Sequence, residues 1–178
     1  MTVPDGIDTV TRYNSTARAF HAVIAILVII NLGIGLLGEG LEKTVDLFPL
    51  HKSIGFTVLA LTIARIALRF TWKTPEYVPS LKRVDLIVAK TMHAIFYGLL
   101  LVLPLTGWIM ASAGKKSLAW FGIPVPKLAV EKGSTLYEIG HEGHEILGFV
   151  MLALVVLHVA AALRHHFVLK DGVLRRMW

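Results

Sequence analysis

Four nearly unbroken apolar stretches, each about 20 residues long, alternate with polar segments along this chain. They cover approximately residues 17–37, 51–70, 92–112 and 143–167. Each is long enough for an α-helix to cross the ~30 Å hydrocarbon layer of a bilayer. The pattern predicts an all-α, integral membrane four-helix bundle, a single domain over 1–178 without repeats or low-complexity segments. The first run follows a polar opening, Met1 to Thr16, and is interrupted only by Arg18, His21 and Asn31. The Gly-Glu-Gly after it is not a small-x-small cleavage site, so a retained helix is expected rather than a signal peptide. The longest connection is Ala113 to Gly140. Within it, Trp120-Phe-Gly-Ile-Pro-Val-Pro126 reads as a partly ordered segment at the membrane interface.

Composition agrees with a membrane chain. Hydrophobic residues make up 55% and charged residues 17%, and mean hydropathy is +0.67, a balance suited to a polytopic membrane protein. The formal net charge of +6 would raise nucleic acid as a partner for a soluble domain. Here the basic residues flank apolar runs and form no stripe with interleaved aromatics, so no nucleic acid is expected. The side holding both termini and the second loop carries 11 Lys and Arg, against six on the side of the first and third loops. By the positive-inside rule both termini are cytoplasmic.

With no Cys, the chain can form no disulfide, iron–sulfur cluster or thiolate site. Its eight His sit mostly in or beside the apolar runs. His144 and His158 stand 14 positions apart in the fourth run, roughly 21 Å along a helix and only about 40° apart in azimuth. An imidazole within a membrane helix is costly without a partner. The expected topology supplies partners by depth: His51 with His144 on the outer side, His21 with His158 on the inner side. Bis-imidazole sites in a Cys-free, carboxylate-poor bundle suit two haem groups, which need only axial ligands from the protein. Zinc would want four ligands at one depth; copper or zinc remains a lesser alternative. His141 is about 100° from His158 in azimuth and reads as a surface residue. Arg65, inside the second run, needs a partner: it would meet a haem propionate, tune a haem by its charge, or snorkel toward the helix end with Arg69. Gly55, Gly98, Gly107 and Gly148 would let a flat macrocycle approach the backbone, or would simply help helices pack.

The carrying stretches are Arg18-Ala-Phe-His21, Leu50-His51-Lys-Ser-Ile-Gly55, Arg65-Ile-Ala-Leu-Arg69 and Lys73-Thr-Pro75. They continue with His93-Ala-Ile-Phe-Tyr97, Leu103-Pro104-Leu-Thr-Gly107, Gly143-His144-Glu145, Leu157-His158 through His165-His166-Phe, and Lys170-Asp171. In this order, over nearly the whole chain, they resemble the bacterial cytochrome b561 family of di-haem b proteins of the inner membrane. The resemblance implies haem axial ligands at His21, His51, His144 and His158. It also implies a quinone site on the cytoplasmic side, where His165 and the Lys73 region match. The best-understood branch is similar to superoxide oxidase, which passes electrons from superoxide through both haems to ubiquinone. The chain departs from that branch at Ala22, where the branch carries Trp.

The expected function is therefore electron relay across the inner membrane, from an outer-side donor to the quinone pool. His165 is the candidate proton donor to reduced quinone, since imidazole exchanges protons near neutral pH; interfacial anchoring is the competing role. His93 and His166 read as residues without a redox role. The outer face carries six basic and seven acidic residues, which is no clear steering field for an anion. Superoxide and a periplasmic redox protein thus both stand as donors. Two other functions fit the pattern: a haem b subunit passing electrons between quinone and a soluble dehydrogenase or cytochrome, and a His-lined metal or ion transporter.

Overall fold

The computed structural model describes residues 12–41, 44–72 and 83–177. Its elements are α1 (Ser15–Leu41), α2 (Phe48–Arg69), α3 (Arg83–Ser112), a hairpin of β1 (Leu118–Trp120) and β2 (Ile123–Val125), and α4 (Thr135–Arg164). A π turn, His165–Leu169, and a 3₁₀ turn, Leu174–Arg176, close the chain. All four α-helices are long and apolar enough to cross a membrane. They pack in sequence order, α1 on α2, α2 on α3 and α3 on α4.

Helix starts follow local capping chemistry rather than the edges of the apolar runs. The Asn14 side chain accepts from the Ala17 N–H at 2.7 Å and opens α1. Asp46 accepts from the Phe48 N–H, and Pro49 occupies the first turn of α2, where a missing N–H costs nothing. Ser134 caps α4 by accepting from the Tyr137 N–H. This last cap corrects the expected boundary: α4 begins at Thr135, so Tyr137 to Gly140 are helical rather than part of the third loop. α3 likewise begins at Arg83, with Asp85 in its first turn, and the second connection is shorter than the hydropathy suggests. Charged first turns extend a membrane helix into the headgroups, where hydropathy no longer reports it.

The outward faces are apolar. Ile26, Ile29 and Leu37 on α1 and Ile146, Phe149 and Val156 on α4 are all exposed, which suits lipid and would be untenable in water. Burial concentrates at mid-depth, where Val58, Thr62, Leu99 and Met151 close the centre of the bundle. Met151 stands seven positions from each of His144 and His158. The core therefore separates two levels within the bundle.

Candidate functional site

His21, His51, His144 and His158 meet in two pairs. His51 of α2 and His144 of α4 have ring centroids 5.9 Å apart, with planes at 82°. His21 of α1 and His158 of α4 have centroids 6.3 Å apart, with planes at 56°. Depth on the helices selected these pairs in the sequence, and the fold brings them together.

The spacing tests whether an iron fits. A metal–imidazole bond of about 2.0–2.1 Å, plus about 1.1 Å from ring nitrogen to centroid, places two trans imidazoles roughly 6.3 Å apart centroid to centroid. Both pairs are near that value. Both ring planes would contain the metal–nitrogen axis, so any angle between the planes is compatible. Among the described residues no three His, Cys, Asp or Glu side chains converge on a metal site. The remaining equatorial positions would have to come from a macrocycle, which favours haem over zinc.

The two levels are held differently. His51 Nδ1–H donates to the Asn31 carbonyl at 3.2 Å, and His144 Nδ1–H donates to the Leu103 carbonyl at 2.9 Å. A carbonyl can only accept, so each Nε2 is left free to ligate. Gly107 is the reason His144 can sit there, since a Cβ would come within 2.9 Å of its Cε1. A Cβ on Gly35 would similarly meet His51 at 3.2 Å. Around this pair lies a cavity of about 400 Å³, lined by Asn31, Gly55, Leu103, Trp108 and Gly148. A Cβ on Gly148 would meet nothing within 4 Å. A Cβ on Gly98 would likewise meet nothing, whereas Gly107 lies directly against the His144 ring.

At the other level the neighbours are rings and cations. His158 is approached by Phe96 at 5.4 Å and by His93 at 5.7 Å, both edge-on. His93, expected to have no redox role, thus lies beside the pair, with its Nδ1–H donated to the Ala89 carbonyl at 2.6 Å. Its signal in the sequence was its place 14 positions before Gly107, the same interval as between His144 and His158. Arg65 does not simply snorkel. Its Nε–H donates to the Tyr97 hydroxyl at 3.1 Å, and its guanidinium carbon lies 5.8 Å from the centre of that ring. Arg18, one turn before His21, keeps a buried Nε without a protein partner, a cation suited to a carboxylate group.

His165 sits on the π turn, and its Nδ1–H donates to Asp171 at 2.5 Å. Asp171 is held further by the Val173 N–H, and Lys170 takes the left-handed conformation that brings the carboxylate back. In the sequence Asp171 is marked only by its place in the Lys170-Asp171 stretch. His166 contacts only its neighbour's ring, Phe167, among the aromatic pairs, and His141 is exposed and stacks on Tyr137. Lys73, expected near a quinone, lies outside the described residues.

Residues 12–178 match the family described as prokaryotic cytochrome b561. The chain is 29% identical over 175 residues to cytochrome b561 homolog 2 of Escherichia coli K12, covering 96% of this chain and 93% of that protein. It is 31% identical over 128 residues to a probable superoxide oxidase CybB of Yersinia pestis, covering 72% of each. Cytochrome b562 of Cereibacter sphaeroides is 28% identical over 178 residues, covering 93% of this chain and 94% of that protein.

Proposed function

The chain belongs to the prokaryotic cytochrome b561 family and is a haem b electron-transfer protein of the bacterial inner membrane, and from that premise we propose that it carries two haem b groups and reduces quinone. One haem would be held by His51 and His144, the other by His21 and His158. The observation that carries this reading is the pair of imidazole spacings, 5.9 and 6.3 Å, at two depths of one bundle.

When bound, each haem would supply a one-electron redox centre inside the hydrocarbon. The protein's own residues do the rest. The carbonyls of Asn31 and Leu103 hold the His51 and His144 rings with Nε2 inward. Arg65 and Arg18 place positive charge around the His21–His158 level, where they would meet propionates and favour the reduced state. Asp171 fixes the His165 ring by Nδ1, leaving Nε2 to pass a proton to reduced quinone. On this reading the quinone end lies at the π turn, on the side of both termini, which we read as cytoplasmic from its excess of Lys and Arg.

We read the donor as superoxide, which would give one electron at the opposite side. Two superoxide anions, one quinone and two protons yield two molecules of dioxygen and one quinol. The likeness to a probable superoxide oxidase supports this choice. The test uses purified, haem-loaded protein with superoxide as sole reductant and a ubiquinone analogue as acceptor. The expected result is reduction of the haem absorption bands, then reoxidation on adding the quinone. No reduction by superoxide removes that donor in favour of a protein donor. A pyridine haemochrome assay giving one haem per chain removes the two-site reading.

A further inference from the structure

The β1–β2 hairpin packs back against α2, a helix long and apolar enough to cross a membrane. Ser117 to Pro126 carry no charge and are bracketed by Lys115 and Lys116 on one side and Lys127 on the other. Lys116 lies 3.6 Å from Asp46, just ahead of α2, and Lys127 donates to the Gly114 carbonyl just after α3. Both ends of the hairpin are thus held near the ends of α2 and α3.

The tip contacts α2 further in. The Phe121 N–H donates to Ser53 Oγ at 3.1 Å, and the Trp120 indole N–H donates to Thr57 Oγ1 at 2.9 Å. Ser53 and Thr57 stand two and six residues beyond His51, about 3 and 9 Å deeper along the helix. The two imidazole levels are roughly 21 Å apart, and centring them in a ~30 Å hydrocarbon layer puts each about 4–5 Å below its surface. The tip therefore reaches that depth, and the Trp120 indole passes beyond it.

Hydrocarbon penalises unpaired backbone groups, and several of the hairpin's polar groups are met within the protein. The strands pair with each other, the donors of Trp120 and Phe121 end on α2 hydroxyls, and Pro124 and Pro126 have no N–H to satisfy. The turn is closed by Phe121 and Gly122 at φ of 47° and 89°. The two accepting hydroxyls are themselves tied to α2, Ser53 donating to the Pro49 carbonyl and Thr57 to the Ser53 carbonyl. Outward, Phe121 and Ile123 are 63% and 61% exposed.

We infer that Leu118–Val125 is a re-entrant hairpin, with Phe121 and Ile123 seated among the acyl chains of the leaflet on this side. It walls the His51–His144 cavity from lipid, Leu118 being buried against that cavity. The occupant of the exposed tip is hydrocarbon rather than a soluble donor protein, because the tip carries no charge to orient one.

The chain has no Cys, so single thiols report without background. In haem-loaded protein reconstituted into liposomes, Phe121→Cys, Ile123→Cys and Lys116→Cys are compared for alkylation by a membrane-impermeant maleimide. Only thiolate reacts, and hydrocarbon suppresses it, so the tip thiols should react at least about tenfold more slowly than Lys116→Cys. Nitroxides on the same thiols should be relaxed strongly by oxygen and weakly by a water-soluble nickel chelate. Equal alkylation at tip and Lys116→Cys overturns the inference and assigns the tip to water. Slow alkylation with weak oxygen relaxation overturns it too, since protein then covers the tip. Unchanged haem bands identify folded variants, and two tip positions guard against one failing to fold.

Discussion

The two imidazole levels differ in what holds their rings. At the hairpin-side level, main-chain carbonyls of Asn31 and Leu103 fix both rings, and Gly35 and Gly107 bring neighbouring backbone close against them. At the terminal-side level the surroundings are aromatic edges and cations: Phe96, His93, Arg65 and Arg18. Carbonyls of rigid helices allow one ring position. Aromatic edges and a spare imidazole allow several. The first level should be intolerant of change and the second adaptable.

The largest effect expected to separate them is ligand removal. If His51 and His144 hold one of two haems as proposed, His144→Ala should abolish it and halve the haem per chain in a pyridine haemochrome assay. His158→Ala should retain part of its haem through His93, and the double variant His93→Ala/His158→Ala should lose it. Equal losses in the two single variants would break the comparison.

The next contrast is between glycines. In Gly107→Ala the new methyl must displace the His144 ring, at a cost of about 1–3 kcal/mol, and haem at that level should fall. Gly148→Ala meets no protein atom within 4 Å and should stabilise the bare helix by up to about 1 kcal/mol. If a macrocycle fills the cavity that Gly148 lines, the same variant should still lower haem occupancy. Thermal melts of haem-free and haem-loaded protein separate these effects.

A smaller effect is expected from charge. Arg65→Gln removes a cation from the terminal-side level and should lower the potential of that haem by on the order of 60 mV, a tenfold change for one electron. The other potential should hold, as a redox titration following both absorption bands would reveal. The smallest belongs to the hairpin. Thr57→Val removes the acceptor of the Trp120 indole N–H and should cost about 0.5–1.5 kcal/mol in melting experiments, with the terminal-side haem unaffected.

Much of this arrangement was legible in the sequence. Helix number came from apolar runs long enough to span. The pairs came from a 14-residue interval on α4 combined with alternating helix direction. Other features were not legible, because they depend on contacts between segments distant in the chain. Nothing local marks Asn31 and Leu103 as acceptors for rings 20 and 41 residues away. His93 read as incidental until α3 and α4 placed it against His158. The early start of α4 was present in Ser134 as a cap, but hydropathy obscured it.

The sequence by itself determined that this chain spans a membrane four times and carries histidines at two depths. Span length and helical rise are properties of the solvent and the backbone, and they need no partner segment. Only the tertiary structure decided which ring is tied to a carbonyl and which to an aromatic edge. It also decided that Asp171 turns back onto His165, and that the third connection folds into a hairpin latched to the Ser53–Thr57 face of α2. These depend on side chains meeting across helices, where a shift of a few ångströms makes or removes a hydrogen bond.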